Sequence, residues 1–273
     1  MTTTVWLVNG REGKVDPADR GLAYGDGLFE TMAADAGRIR WLDYHLERLV
    51  DGCARLSIPP PDPAALRAEI AAHLPEGRAV VKLIVTRGPG ERGYRPPATP
   101  APTRIVSISS WSACPASHYT RGVRVRTLAL RLGENPALAG MKHLCRLEQV
   151  LARIELERLD ADEGLLLDAS GYVVSATMAN VFAVADGRLL TPALTRCGVK
   201  GVMRRIVLET AKAEGIEVEE GDLRPATFEG ADEMFVTNAV FGIWPVRELD
   251  GRVLAPGEIA QRLMRRLGYG TDG

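Results

Sequence analysis

RLGENPALAGMKHLCRLEQV, residues 131–150, is the stretch on which the reading of this chain turns. Within it, LAGMKHLC sets Lys142 between a glycine-containing turn and the start of an apolar helix. Leu144, Leu147, Val150, Leu151, Ile154 and Leu156 follow as apolar positions and predict a helix from about His143 to Leu159. The chain has only five lysines, at 14, 82, 142, 200 and 212, and arginine supplies most of its positive charge. A lysine kept amid so much arginine points to chemistry, because lysine can give up its proton at working pH and arginine cannot. An ammonium is costly to desolvate, so such a position biases the group toward the neutral, nucleophilic amine. The competing reading is a helix-end lysine that reaches water. Lys14 at a turn and Lys212 on a polar helix face read as solvated, and Lys82, which interrupts a strand, as a snorkelling side chain.

C-terminal to this stretch, 164–168, 172–174 and 181–185 read as short strands, with turns at Ala169-Ser170-Gly171 and Asp186-Gly187. A helix is predicted from about Val202 to Glu214, closed by Gly215. Residues 233–237 read as a strand, Asp250-Gly251 as a hairpin turn, and the C-terminus as an amphipathic helix. N-terminal to it, Val5–Val8 and the turn Asn9-Gly10 predict a hairpin with the run that follows. A second hairpin joins 28–33 to 38–42 through Asp35-Ala36-Gly37. Asp43 reads as the N-cap of a helix carrying Leu46, Leu49, Val50, Cys53 and Leu56, and Asp62-Pro63 as the start of another. Residues 79–86 and 104–109 are strands. Helix and strand mix without strict βαβ alternation, so the class is α+β.

The chain has 273 residues, enough for one large domain or two modest ones at ~150 residues each. Its 34 Lys+Arg against 35 Asp+Glu leave a net charge of -1, which gives no global attraction for nucleic acid or an anionic membrane. No stretch approaches the ~18 apolar residues of a membrane span, and the start MTTTVWLVNGREGKV lacks the pattern of a secretory signal. Cys53, Cys114, Cys145 and Cys197 form no CxxC pair, which fits a reducing cytoplasm. His45, His73, His118 and His143 show no metal-binding spacing, so no metal site is expected.

Residues 87–103, RGPGERGYRPPATPAPT, read as a flexible surface loop. Gly88, Gly90 and Gly93 spell GxGxxG after a strand, but the prolines that follow forbid the helix start that a dinucleotide needs. Between Tyr94 and Gly133 there is no acid to hold a ribose either. A different anion site is readable in Cys197-Gly198-Val199-Lys200-Gly201-Val202-Met203-Arg204, a glycine-bearing turn leading into a helix. Free N–H groups and the positive end of a helix dipole suit a phosphate. The alternative is a turn with glycine for backbone reasons alone.

A reactive lysine and a phosphate seat together are what pyridoxal 5'-phosphate requires: an imine anchor and an anion site. With Arg131-Leu132-Gly133-Glu134-Asn135-Pro136 and Leu138–Val150, the chain resembles the aminodeoxychorismate lyases of the fold-type IV pyridoxal phosphate family. That family also holds branched-chain and D-amino acid aminotransferases. Further matching segments are Asp19-Arg20-Gly21, Tyr24-Gly25-Asp26-Gly27, His45 with Arg48, Thr86-Arg87-Gly88, Arg92-Gly93-Tyr94, Asn180 and Thr237-Asn238-Ala239. The resemblance implies a two-domain homodimer: a small N-terminal α+β domain over 1–112, a linker over 113–122, and a larger C-terminal α+β domain over 123–273 carrying Lys142. The cofactor would lie in the interdomain cleft. By the same resemblance Lys142 is the Schiff-base lysine and proton shuttle, and Arg48 pairs with the cofactor phosphate. The N–H groups of Val202 and Met203 seat that phosphate, and Asn238 belongs to a second phosphate loop. Tyr24, Arg92 and Tyr94 face the substrate.

Two departures stand out. Ser175 occupies the place, five residues before Asn180, where the family usually has a glutamate bonded to the pyridine nitrogen. A hydroxyl cannot supply that charge, so Ser175, helped by Thr177, is expected to hydrogen-bond a less protonated ring nitrogen. Cys145 replaces an asparagine and reads as a helix-packing substitution. The implied activity is conversion of 4-amino-4-deoxychorismate to 4-aminobenzoate and pyruvate, a step of folate synthesis in which aromatisation drives the reaction and a weaker electron sink is tolerated. The substrate carries two carboxylates, for which Arg92 is the better candidate partner among arginines such as Arg95, Arg104, Arg121, Arg124, Arg126 and Arg131. The alternatives are a D- or branched-chain aminotransferase of the same fold, and a non-catalytic binding protein that has kept it.

Overall fold

The computed structural model of the protein describes residues 4–255 and 257–270. The chain forms two compact units, one made of the chain up to Ala113 together with Met141–Cys145, the other of Cys114–Gly140 and the chain from Arg146 onward. The lysine segment, expected in the C-terminal domain, therefore belongs to the first unit. Part of the expected 113–122 linker is a short helix, Ala116–Thr120, of the second.

The first unit contains β1 (Thr4–Val8), α1 (Arg20–Tyr24), β2 (Gly27–Asp35), β3 (Arg38–Ile39), α2 (Leu42–Leu56), α3 (Pro63–Ala71), β4 (Ala79–Thr86) and β5 (Thr103–Ser110). Its strands form an antiparallel sheet in the order β1-β5-β4-β2-β3. Strand alternation sorts the side chains: Leu28, Glu30 and Met32 of β2 and Val81, Leu83 and Val85 of β4 are buried. Their neighbours Phe29, Thr31, Lys82 and Ile84 keep solvent access. Leu46, Leu49 and Cys53 of α2 are buried as well, each large apolar side chain contributing about 1.5–3 kcal/mol. The helix comes close at Gly52, where a Cβ would stand 2.8 Å from Leu28 Cδ1.

Two expectations are corrected here. After Asn9-Gly10 only a single bridge, Val8 to Arg11, forms, and β1 pairs with β5 along its full length. The polar Glu12-Gly13-Lys14 offers no strand to compete with that edge. Asp43 is not the N-cap of α2; Trp41 holds that place, while Asp43 sits in the first turn and pairs with Arg67. Asp62 does cap α3, accepting from the Ala64 N–H at 3.0 Å ahead of Pro63.

The second unit continues with α4 (Ala116–Thr120), β6 (Val123–Leu132), α5 (Leu147–Leu156), β7 (Glu163–Asp168), β8 (Val173–Ala176), β9 (Asn180–Ala185), β10 (Arg188–Pro192) and α6 (Val202–Ala213). It ends with β11 (Val218–Gly221), α7 (Pro225–Glu229), β12 (Glu233–Asn238), β13 (Gly242–Leu249), β14 (Arg252–Val253) and α8 (Glu258–Leu267). A mixed sheet runs β11-β10-β9-β12-β13-β6-β7-β8, with β14 on β13. Val125, Leu165, Val181 and Val236 lie in its core, and Phe182 stacks on Phe235 with centroids 4.9 Å apart. Val207 and Ala211 of α6 are buried. The helix expected from His143 begins only at Leu147, because 142–144 is tied to β2 as an extended segment. Cys145 consequently lies outside any helix: its sulfur faces the Tyr24 and Gly25 carbonyls at 3.8 and 3.9 Å.

Candidate active site

In the first unit, Phe29 N donates to Lys142 O and Leu144 N donates to Gly27 O, both at 3.0 Å, with His143 bridging Leu28. Gly140, at φ 80°, turns the chain just before this segment, a conformation that favours glycine. The backbone of Lys142 is thus fixed against β2. Its Nζ stands 4.3 Å from the Phe29 ring centroid, and Lys82 Nζ stands 5.4 Å from the same centroid.

The next residue of β2, Glu30, points to the buried face and is 1% exposed. It accepts from His45 Nδ1 at 2.6 Å and from Arg48 Nε at 2.8 Å, with a second Arg48 N–H on its other oxygen. Burial alone would raise the Glu30 carboxyl, but the Arg48 charge and the His45 hydrogen bond outweigh it and hold the group at about 2. Burial is also the leading reason that His45 is lowered from its ordinary 6.5, and the charges of Arg48 and Lys142 push the same way. His45 is therefore neutral, with its proton on Nδ1 because a carboxylate only accepts. Its Nε2 is buried without a hydrogen-bond partner. Lys142 and Arg48 act on one imidazole, so the structure brings these two predicted residues together.

Tyr24, at the end of α1, accepts from Gly93 N at 3.2 Å, and its ring lies 5.4 Å from that of Tyr94. Arg92 is exposed and forms no ion pair among the described residues. Three of the six arginines of the wider field pair with acids from elsewhere in the chain. Arg104 pairs with Glu69 at 2.5 Å, Arg124 with Asp160 and Arg126 with Glu248 at 2.6 Å.

In the second unit, Asn180 Nδ2 donates to Val199 O at 2.8 Å and its Oδ1 accepts from Gly201 N at 3.1 Å. This clamp shapes the turn before α6. A Cβ on Gly201 would fall 2.2 Å from Asn180 Oδ1, so the turn is built around glycine. Gly201 is the N-cap of α6 and offers no side-chain acceptor, while Val202 and Met203 are buried. The first amides of a helix have no acceptor within it, so this start presents donors to an anion. Thr237 pairs with Asn180 across β12 and β9, and its hydroxyl is buried with no partner among the described residues. Orphaned donors of this kind fit a phosphate. Asn238 braces the adjoining turn: its Oδ1 accepts from Val240 N at 2.9 Å and Phe241 N at 3.0 Å, and its Nδ2 donates to Met178 O at 3.3 Å.

Ser175, half-buried on β8, makes no side-chain hydrogen bond among the described residues. Thr177 does not assist it. Its hydroxyl and N–H are committed to Glu163, a fully buried carboxyl that burial raises above its ordinary range. Sequence reasoning missed Phe29 and Glu30, and gave Thr237, part of a matching segment, no role of its own. Glu30 had a signal: a lone acid in the strand LFETMAA, matched by His45 and Arg48 three apart on the helix that follows.

The model of the family described as amino-transferase class IV matches residues 27–249. An aminodeoxychorismate lyase from Vibrio harveyi is 34% identical over 96% of this chain and 98% of its own length. A putative branched-chain-amino-acid aminotransferase from Methanocaldococcus jannaschii is 35% identical over 95% of this chain and 92% of its own. Among solved structures, that of 4-amino-4-deoxychorismate lyase from Pseudomonas aeruginosa superposes with a TM-score of 0.92 at 49% identity, covering 96% of this chain and 98% of that one.

Proposed function

Because this chain belongs to the amino-transferase class IV family, we propose from its closer likenesses that it is a pyridoxal phosphate-dependent lyase converting 4-amino-4-deoxychorismate to 4-aminobenzoate and pyruvate. Its fold is that of the fold-type IV enzymes. The observation that carries the reading is the Lys142 amine, fixed over Phe29 by backbone bonds to β2, within the segment that resembles these lyases. The likeness that favours the lyase over the aminotransferase is the solved structure named for this activity, at 49% identity, since the 34% identical lyase is matched by an aminotransferase at 35%.

Lys142 would take the cofactor aldehyde. In the second unit the Val202 and Met203 amides, the Thr237 hydroxyl and the turn braced by Asn238 offer donors of the kind a phosphate takes; in the first, Arg48 is a candidate cation for it. Pyridoxal phosphate, when bound, supplies an imine-forming aldehyde and a ring that withdraws electrons from the carbon bearing the substrate amine. Lys142 removes the proton from that carbon. Enolpyruvate would depart from the next carbon with the C–O electron pair as the ring becomes aromatic, and Lys142 would return the proton to the departing enolate, giving pyruvate. Ser175 can donate a hydrogen bond to the ring nitrogen without placing a charge there.

A homodimer is part of the same reading. Leu147, Val150, Leu151 and Ile154 form a stripe on α5 that is 46–71% exposed, an apolar face of the kind that a second copy covers. No helix among the described residues is long and apolar enough to cross a membrane.

The test is to supply aminodeoxychorismate to the cofactor-loaded protein and follow 4-aminobenzoate fluorescence, with Lys142→Ala as control. Product without any keto-acid acceptor is the expected result. Turnover that requires an acceptor would make the protein an aminotransferase. Failure of borohydride to trap a pyridoxyl group on Lys142 would leave a binding protein.

A further inference from the structure

We propose that Arg20 is a positioning residue, one that holds the substrate-facing loop 87–103 in its working conformation; this rests on the assignment of Arg92 and Tyr94 to the substrate. The loop is rich in glycine and proline and has little secondary structure, the composition of a mobile connection. Its backbone is nonetheless held from beneath. Arg20 Nη1 donates to Gly93 O at 2.9 Å and to Arg95 O at 3.4 Å, and Nη2 donates to Tyr94 O at 2.9 Å. Its Nε donates to Asp26 Oδ2 at 2.9 Å. One planar guanidinium thus gathers three successive carbonyls at the loop tip while holding Asp26, four acceptors where an ammonium has three donors.

The near end of the loop is tied to the same place. Arg20 N donates to Gly88 O at 3.0 Å and Gly90 N to Ala18 O at 3.2 Å. Asp26 also takes Arg87 at 2.8 and 3.0 Å, and Arg87 reaches the Leu56 and Ser57 carbonyls at the end of α2. Burial opposes the Asp26 charge, but hydrogen bonds from Arg87 and Arg20 outweigh it and keep the carboxyl below its ordinary 3.8. Gly90 packs on the clamp itself, where a Cβ would stand 2.9 Å from Arg20 Cδ.

The contrast in exposure gives the arrangement its meaning. Arg20 is 4% exposed while Tyr94, whose carbonyl it holds, is 85% exposed. A buried cation is placed so that an exposed aromatic stands still. Stability does not require the tip to be ordered, since its side chains bury little. Binding does, because a loop already in its bound conformation loses less freedom when the ligand arrives. The order would therefore act on substrate capture rather than on the chemical step.

The experiment compares wild type, Arg20→Lys and Gly90→Ala, all cofactor-loaded, by tryptic cleavage after Arg92 and by steady-state aminobenzoate formation. Arg20→Lys keeps the charge facing Asp26 but loses the fork. It is expected to be cut about tenfold faster after Arg92 and to raise KM about tenfold, with kcat within about threefold of wild type. Gly90→Ala presses on the clamp from the loop side and moves both readouts in the same direction; should Arg20→Lys fail to fold, it decides alone. Unchanged cleavage in the folded variants overturns the clamp, and so does a fall in kcat at constant KM. A wild type that forms no aminobenzoate overturns the lyase reading instead, and the cleavage ratio then judges the clamp by itself.

Discussion

Glu30→Gln is the substitution whose consequence the structure fixes most closely. The carboxyl is fully buried and falls from an ordinary 4.5 to about 2. At about 1.4 kcal/mol per unit, that difference contributes about 3 kcal/mol to folding at neutral pH. The sign follows from the direction: a depressed carboxylate stabilises above its unfolded pKa, and the contribution is lost as pH falls from about 4.5 toward 2. His45 is also depressed, so its share begins to disappear earlier, as pH drops below 6.5. Replacing the anion leaves Arg48 without its charge partner, and breaking a buried pair costs about 3–5 kcal/mol. Urea unfolding of the cofactor-free protein, read by tryptophan fluorescence, is the assay. Trp6, Trp41 and Trp111 lie in the first unit, so the signal is weighted toward the unit that carries the change. The expected loss is about 3 kcal/mol or more near neutral pH, narrowing by about 3 kcal/mol as pH falls to 2, because wild type then gives up what the variant never had. Taking the difference between variant and wild type cancels the titration of distant groups. A gap that stays constant from neutral pH to pH 3 would refute the reasoning.

The phosphate seat makes its own predictions. Thr237→Val replaces a buried hydroxyl that has no partner, so the cofactor-free protein should be as stable or slightly more so, by up to about 1 kcal/mol, while pyridoxal phosphate binds about tenfold more weakly in an absorbance titration. Equal affinity would remove that hydroxyl from the seat. Gly201→Ala should break the Asn180 clamp, since its Cβ would lie 2.2 Å from Oδ1, and weaken cofactor binding by at least about tenfold with circular dichroism unchanged. Ser175→Glu should raise slow transamination about tenfold while aminobenzoate formation stays within about threefold. A rise of many orders of magnitude in lyase turnover would contradict the view that this reaction tolerates a weak electron sink.

Much of this was legible in the residues. β4 was readable from its wealth of Val and Ile, and α3 from Asp62-Pro63, because β-propensity and capping are local effects. The resemblance drawn around Lys142 led to the family that residues 27–249 match. The pairing of β1 with β5 could not be read, since nothing in Asn9-Gly10 says that a strand a hundred residues away will outcompete the next few residues. Nor could the late start of α5: Leu144 fits the helical stripe, but the Gly27 carbonyl claims its N–H. Thr237 was unreadable for a different reason. A missing partner is a property of the folded surroundings, and no pattern of residue types reports it.

The choice between lyase and aminotransferase can be argued from two side chains. Lys142 supplies the same service to either reaction, a proton taken up and handed on, so it does not discriminate. Ser175 does. A hydrogen bond to a charged group contributes about 1.5–3 kcal/mol and a neutral one about 0.5–1.5, so on the proposed reading a hydroxyl at 175 in place of a carboxylate would surrender about 1–2 kcal/mol of stabilisation for charge drawn into the cofactor ring. Glu163 cannot make up the loss, because Thr177 and the neighbouring backbone amides already occupy it and burial pushes it toward the neutral form. A transaminase must hold that charge long enough to place a proton elsewhere, and its barrier rises with the deficit. A lyase discharges it at once into a departing oxygen, helped by a ring that becomes aromatic. On the proposed reading, the substitution at 175 would fall on the step that a lyase tolerates weakening better than a transaminase does.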